Sequence, residues 1–387
     1  MRLVVYSHKP CWKSEASPSG YATDGGFPMQ MRALSELFDS TVVAAPCGEP
    51  KSRVGEMPLV GRNLSFTPLS MPRGTDGRRK LDMPWWLLRN CRVLWRELRR
   101  ADAVHAPIPG DVGTIGMLMA FLSRRPLFVR YCGNWLIKRT MAEGFWQWFM
   151  ERFAGGRNVM LATGGAAEPP SHRNAEVRWV FATSLTEQEL QECGTARRLT
   201  EGKARRLIIA CRQEGGKGTD QVIESLPSLR GEFPKLILDV VGDGSALPKL
   251  KQLADSRGVT GQVCFHGKVT HERVLELLRL SDVFCFPTAS EGFPKAVLEA
   301  LACGLPVVTT KVSVLPQLIG NGCGVLIDEV TPTAIARAVR SCLGDRERYA
   351  EMSERAVATA KEYSIERWRD SIGALLEKAW GPLDNHG

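Results

Sequence analysis

The chain has 387 residues, so at roughly 150 residues per domain it needs two domains or more. With 44% hydrophobic and 24% charged residues it is neither disordered nor fibrous. The net charge of +9 lies wholly in the first half: residues 1–185 hold 25 basic and 15 acidic side chains, residues 186–387 hold 26 and 27, and a basic half implies an anionic partner such as phosphate, acidic lipid or nucleic acid.

In chain order, Arg2–Tyr6 (RLVVY) reads as a strand. Its flanks give neither a signal peptide nor a membrane anchor. Strands are also expected at 41–45, 103–105 and Leu127–Tyr131, with helices at 30–38 and 85–100. The mostly apolar stretch 112–122 is too short to span a bilayer. Around 183–205 the strand signal lapses into polar and charged residues, and the domain joint is placed there. Beyond it the rhythm is cleaner. Strands are expected at 207–211, 235–241, 263–266, 283–287 and 306–310, with helices at 221–229, His271–Leu280 and Lys295–Ala302. Such alternation means parallel sheets with crossover helices. The expected fold class is therefore α/β, with two Rossmann-like domains facing across a cleft lined by loops at the carboxyl ends of the strands. The expected boundaries are 1–185, a linker at 186–204, a second domain at 205–365, and a helix at 366–387 that packs back toward the first domain. The eleven cysteines are odd in number and include no C-x-x-C pair. They indicate a reducing, cytoplasmic setting rather than a disulfide framework. His8 and Cys11 have ligand-like spacing but no second pair, so no metal site is expected.

Several motifs fail. Gly242-Asp-Gly244 follows a strand, but Leu247 stands where the third glycine of a dinucleotide fingerprint belongs. The Gly-Lys pairs ending at Lys203, Lys217 and Lys268 are not followed by Ser or Thr, so no Walker A loop exists. There is no D-x-D, H-E-x-x-H or G-x-S-x-G. Metal-dependent phosphoryl chemistry, zinc hydrolysis and serine esterase chemistry all lose ground.

Three features carry chemistry. A glycine-rich turn after residue 211 bears Arg212 and Lys217, a planar fork and a point charge suited to a diphosphate; the plainer alternative is a solvated basic loop. The run 290–304 (SEGFPKAVLEALACG) opens a helix at Pro294 and stops it at Gly304. It offers backbone N–H groups at Phe293, Lys295 and Ala296 to an anion. Glu291 precedes that helix and Glu299 lies within it, and carboxylates beside a phosphate site suit sugar and ribose hydroxyls. Gly25 and Gly26, between the first strand and a helix, let backbone approach a ligand closely; a flexible loop is the plainer alternative.

Together these residues resemble the donor-binding domain of the GT-B glycosyltransferases, specifically family 4, the retaining group 1 enzymes. The resemblance runs from the Arg212/Lys217 loop through Val-Val-Gly-Asp-Gly at 240–244, Cys264-Phe-His-Gly267 and Leu280–Pro287 to the paired glutamates Glu291 and Glu299, across roughly residues 205–330. The resemblance implies a glycosyltransferase, a hexosyltransferase that moves a sugar from a nucleotide-diphosphate sugar to an acceptor hydroxyl. It implies retention, independence of metal, and no cofactor beyond the donor itself. Arg212 and Lys217 would neutralise the diphosphate. Glu299 would hold the ribose hydroxyls. Glu291 would hold the donor sugar with the backbone at Gly292, Phe293 and Pro294. Gly25 and Gly26 would close over the phosphates. Gly242, Gly244, His266 and Gly267 would wall the base pocket. Residues 1–185 become the acceptor-side domain, and the acceptor a glycan or lipid-linked glycan in polysaccharide or glycoconjugate synthesis.

One departure stands out. The family often has a histidine after the strand at Leu127–Tyr131, and here Cys132-Gly133 takes that place. Either Cys132 replaces it, or Arg130, Asn134 or His105 does its work. Residues 73–100 carry nine basic against three acidic side chains among tryptophans and leucines, and 136–153 are also aromatic and basic. Such helices suit the interface of an anionic membrane, with packing on the sheet as the alternative. Competing functions are a GT-B phosphorylase, a nucleotide-sugar epimerase, or a non-catalytic nucleotide-sugar- or nucleic-acid-binding protein. No nucleic-acid motif occurs.

Overall fold

The computed structural model describes residues 1–50, 52–74, 76–138, 140–166 and 168–383, without the side chains of 76–78 and 80. Arg139, and the side chains of Asp76, Arg78 and Lys80, which belong to the basic helices noted above, lie outside the described residues. The chain divides into two units. The first is built from residues 1–164, 168–184 and the chain from Ile365 onward; the second is built mainly from Leu185–Ser364.

The first unit begins with β1 (Arg2–Tyr6), the short β2 (Trp12–Lys13) and β3 (Tyr21–Asp24), then α1 (Phe27–Ser35), β4 (Ser40–Pro46), β5 (Glu56–Pro58) and β6 (Leu64–Leu69). It continues with α2 (Asp76–Arg100), β7 (Ala103–Ile108), α3 (Asp111–Leu122), β8 (Leu127–Tyr131), α4 (Met141–Phe153), β9 (Asn158–Thr163) and β10 (Val177–Val180). Among the described residues seven strands form one sheet in the order β10-β9-β8-β7-β1-β4-β6, and β2-β3-β5 form a small antiparallel one. The large sheet is parallel throughout. Its central strands β7 and β8 are buried along their length because helices cover both faces, and they are apolar except for His105 of β7 and Arg130 of β8. Val4 and Tyr6 of β1 point into the core under α2, α3 and α4. Leu3 and Val5 point into the opposite core, with Met31 and Leu34 of α1 and Trp368, Ile372 and Leu376 of the C-terminal helix.

The second unit begins with α5 (Glu187–Cys193), β11 (Arg206–Ala210), α6 (Thr219–Leu229), β12 (Ile237–Val241), α7 (Leu247–Ser256) and β13 (Val263–Gly267). Next come α8 (His271–Leu280), β14 (Val283–Phe286), α9 (Lys295–Ala302), β15 (Val307–Thr310), α10 (Leu315–Ile319), β16 (Gly324–Ile327), α11 (Pro332–Leu343) and α12 (Arg346–Ala360). The last helix, α13 (Ile365–Trp380), belongs to the first unit, where Arg369 pairs with Glu36. The sheet of the second unit runs β13-β12-β11-β14-β15-β16, all parallel. The chain therefore winds outward from β11 in one direction and from β14 in the other.

Residues 186–204, expected as a linker, are built into the second unit. Thr186 and Glu189 close a reciprocal capping box that starts α5. Beyond α5, the Arg197 amide donates to Ser353 Oγ at 2.8 Å. Most polar side chains of the segment are exposed, and it is the buried Leu190, Cys193 and Leu199 that pack it into the unit.

Candidate active site

In an open α/β sheet ligands bind beyond the carboxyl ends of the strands, where the order reverses. In the second unit that point lies between β11 and β14, whose residues pair as Leu207↔Val283 and Ile208↔Phe284. A cavity of about 550 Å³ opens there, lined by Cys211, Arg212, Glu214 and Lys217 from one side and by Phe286, Glu291 and Phe293–Ala296 from the other.

Local packing fixes the loop after β11. Gln213 is fully buried. Its Nε2 donates to Val241 O at 2.9 Å, and its Oε1 accepts from Thr219 Oγ1 at 2.7 Å. Gly242 lies at φ +111°, and a Cβ there would meet Cys211 O at 1.9 Å. Gly218, at φ +79°, would meet Pro287 O at 2.4 Å. Only glycine lets these turns approach so closely. With the backbone held, Arg212 is left exposed, with no ion pair among the described residues. Lys217 turns inward instead. Its Nζ lies 2.6 Å from Glu291 Oε2 and 3.3 Å from Ser290 O, and 5.7 Å from the centre of the Phe286 ring. Lys217 thus pairs the Glu291 carboxylate at the cavity wall. Burial pushes the Cys211 thiol up to about 12, so it is a neutral wall group rather than a nucleophile.

The loop before α9 is pinned as well, because Ser313 Oγ donates to Gly292 O at 2.8 Å. Pro294 is the N-cap of α9 rather than its first helical residue. One expectation changes here: the Lys295 N–H donates to Phe293 O at 3.2 Å and is not offered to a ligand. Ala296, in the first turn and at the cavity wall, keeps the helix terminus as the cationic end of a dipole.

Other expected donor residues do not line this cavity. Glu299 is buried in α9. His271, the first residue of α8, bridges it to α5: Nδ1 lies 3.7 Å from Glu299 Oε1 and Nε2 lies 3.3 Å from Glu189 Oε1. The Glu189 carboxylate beside it pushes the imidazole above its ordinary 6.5, with help from Glu299 and against burial. Gly242 and Gly244 seat the Arg212 loop, since a Cβ at Gly244 would meet Gln213 O at 2.3 Å. Gly267 ends β13 and accepts from the Gly242 N–H at 2.8 Å. His266 Nε2 lies 2.7 Å from Asp239 Oδ1, a buried carboxylate also held by the Arg206 fork at 2.8 and 3.0 Å. That network satisfies a buried charge.

In the first unit, Gly25 (φ +71°) turns β3 into α1, and Gly26 is the N-cap of α1. Cys132 is exposed just beyond β8, and its N–H donates to Ile108 O at 2.6 Å. Arg130 is buried; its Nη2 donates to Gln30 Oε1 at 2.8 Å and its guanidinium lies 5.0 Å from the Trp368 ring centre. Asn134 Oδ1 accepts from the Leu136 N–H at 3.0 Å and closes a local turn. His105 is fully buried, and desolvation, with the Arg130 charge added, pushes it down to about 3. It is a core residue.

Sequence reasoning missed Gln213, Phe286, Glu214, His271 and His8. Glu214 leaves a recognisable signal, since it sits in the same glycine-rich turn as Arg212 and Lys217. His8 follows β1, and β1 and β7 flank the reversal of strand order in the first sheet. Its ring occupies the space a Cβ on Gly110 would need. Partial burial, and after it the Arg79 charge, holds its pKa below the ordinary 6.5.

Residues 196–359 match the family model described as "Glycosyl transferases group 1". Over 178 residues the chain is 30% identical to the GDP-mannose-dependent alpha-(1-6)-phosphatidylinositol monomannoside mannosyltransferase of Mycolicibacterium smegmatis, covering 43% of this chain and 46% of that one. It is 30% identical over 173 residues to the D-inositol 3-phosphate glycosyltransferase of Xylanimonas cellulosilytica, covering 44% and 41%. The match thus spans less than half of either relative. In structure it resembles Anabaena HepE, solved with UDP and glucose, at TM-score 0.69 and 16% identity over 98% of this chain and all of that one. It also resembles WaaG, a glycosyltransferase involved in lipopolysaccharide biosynthesis, at TM-score 0.65 and 15% identity over 97% and 99%. The fold is therefore the GT-B fold.

Proposed function

We propose that the whole protein is a glycosyltransferase that moves a hexose from a nucleotide-diphosphate sugar to a hydroxyl of a glycan or lipid-linked glycan, a reading supported by the match of residues 196–359 to the group 1 glycosyl transferase model. The carrying observation is the cavity between β11 and β14, which gathers Arg212, the Lys217–Glu291 pair and the α9 terminus. Cleavage of the sugar–phosphate bond builds positive charge on the sugar and negative charge on the departing diphosphate. Fixed cations aimed at the leaving group stabilise that separation. Arg212 and Lys217 take the diphosphate and Glu291 faces the donor sugar; the ribose role of Glu299, which is buried beside His271 and outside the lining of this cavity, rests on the family resemblance. In the retaining reaction the acceptor oxygen bonds to the anomeric carbon on the face the phosphate leaves, and its proton passes to the leaving phosphate oxygen. No D-x-D occurs in the sequence, and we assign the leaving-group role to the cations without a metal.

A thermal-shift panel of UDP-, GDP- and ADP-sugars tests this, because a bound donor raises stability by mass action. One class should stabilise the protein, and transfer of that sugar should survive EDTA. Arg212→Ala should cut transfer ~100-fold or more, at about 3 kcal/mol for a lost transition-state contact. Near-normal turnover in that variant, or a strict need for divalent metal, would overturn the reading.

A further inference from the structure

The first unit carries an outward apolar surface that its own core does not account for. α2 has two apolar stripes. The inner one, Trp86, Leu94 and Leu98, is buried against the sheet. The outer one runs Leu81, Trp85, Leu88 and Trp95 at helical spacing, with Leu81 79% and Trp85 65% exposed. α4 repeats the arrangement. Phe149 and Met150 face inward, while Met141, Phe145 and Trp148 face outward, with Met141 95% exposed. The two helices belong to one surface, because α3 joins them: Arg79 Nε lies 2.7 Å from Asp111 Oδ2, and Trp146 Nε1 lies 2.9 Å from Thr114 Oγ1.

Crossover helices of a parallel sheet run back against the strands. The N-terminal halves of α2 and α4, which hold most of these residues, therefore share the edge at the strands' carboxyl ends. Exposed Leu136 and Ile137, just before α4, extend it. Arg89, Arg92, Arg99 and Arg100 are exposed along the rest of α2. Glu97, the acidic residue of that stretch, is buried and paired with Arg2 and Arg96. Tryptophans at an apolar rim beside a row of arginines match the headgroup boundary of a bilayer. A second copy of the chain fits poorly, because it would set one arginine row against another. No helix among the described residues is long and apolar enough to cross a membrane.

We infer that this edge of the first unit docks on an anionic lipid bilayer, with Trp85 and Trp148 at the headgroup–acyl boundary and the α2 arginines on the headgroups. The inference deepens the proposed function, on which it rests for a lipid-linked acceptor. Vesicle binding needs neither donor nor acceptor, so the two can fail separately.

The test is flotation of the full chain with vesicles of phosphatidylcholine alone or mixed with phosphatidylglycerol. The protein should float with the anionic vesicles, and the bound fraction should fall as salt rises. Arg92→Gln with Arg99→Gln should weaken partitioning about tenfold. Trp85→Ser with Trp148→Ser should do the same and remove quenching by brominated lipids. Both variants should keep the wild-type melting temperature and its shift with nucleotide sugar. Equal recovery with neutral and anionic vesicles would overturn the inference. So would a dimer in sedimentation velocity that the tryptophan substitutions dissociate, which would assign the surface to a second copy instead.

Discussion

Lys217 and Glu291 should act as one unit, and a double-mutant cycle measures this. Nζ and Oε2 are 2.6 Å apart, with side chains 23% and 21% exposed. Exposed pairs contribute about 0.2–1 kcal/mol, and breaking a fully buried pair costs about 3–5 kcal/mol. A pair one-fifth exposed should fall between, at about 1.5 kcal/mol of coupling. Lys217→Met removes a cation from the leaving group and should cost about 3 kcal/mol in kcat/KM, or ~150-fold. Part of that loss is repulsion, because the Glu291 carboxylate is then left unpaired beside the diphosphate. Glu291→Gln should cost about 2 kcal/mol, or ~30-fold, for a charge-assisted bond to the donor sugar. Independent effects would multiply to ~5,000-fold. Coupling by about 1.5 kcal/mol brings the double variant back to ~400-fold. The assay is transfer under kcat/KM conditions with the donor found by thermal shift. A double variant at the full product of the singles would show that the pair does not cooperate in the reaction.

His271 gives a pH dependence. Its folded pKa lies above the unfolded 6.5, so its contribution to stability is fully present below the unfolded value and is lost as pH rises through the folded one. Urea unfolding from about pH 5.5 to about pH 8.5 should show that decline, and His271→Gln should flatten it; an unchanged slope would remove the bridge between Glu189 and Glu299. Gly242→Ala should destabilise the protein by about 3 kcal/mol, because the new Cβ meets a backbone carbonyl at a positive φ; a loss within about 0.5 kcal/mol in urea unfolding would contradict the packing described. Cys132, Cys91 and Cys264 are exposed and should react with a maleimide, as mapped by peptide mass. If Cys132 stands at the donor sugar, nucleotide sugar should slow its labelling and spare the other two, and Cys132→Ser should be mild. Equal labelling with and without donor would pass the missing histidine's role to His8, whose change to Gln should then lower kcat and leave nucleotide affinity intact.

Strands buried on both faces were the legible part of the fold. β1 is apolar from Leu3 to Tyr6 and β8 is apolar but for Arg130, so neither needs periodicity to be found. β6 sits at an open edge and mixes exposed with half-buried positions, so its segment carries no such signal. β9 opens with the polar Asn158 and closes with Thr163, and β16 opens with Gly324 and has only four residues, so neither announces itself as an apolar run. α2 was expected over 85–100, from its amphipathic pattern alone. The helix continues through Pro84 back to Asp76. Burial of Trp86 against the sheet offsets the lost hydrogen bond.

The site was legible where chemistry and local sequence coincide, and obscure where packing alone selects a residue. Arg212, Lys217 and Glu291 were singled out as residue types suited to a diphosphate and a sugar, and the structure brings them to one cavity. Gly242 and Gly244 answer to any close neighbour, backbone or ligand, and here backbone is the neighbour. His266 bonds to Asp239 of the adjacent strand, a partner that no spacing in the sequence indicates. Lys217 and Glu291 are 74 residues apart, yet they meet because β11 and β14 are neighbours at the reversal of strand order. That adjacency follows from which strand the chain returns to after β13, a choice set by packing of the whole unit. In the first unit the same rule singles out the crevice between β1 and β7, where His8 lies, while Cys132 follows β8 one strand away. A histidine found by topology and a cysteine found by sequence position are thus rival groups for one role, and the strand order is what makes them distinguishable.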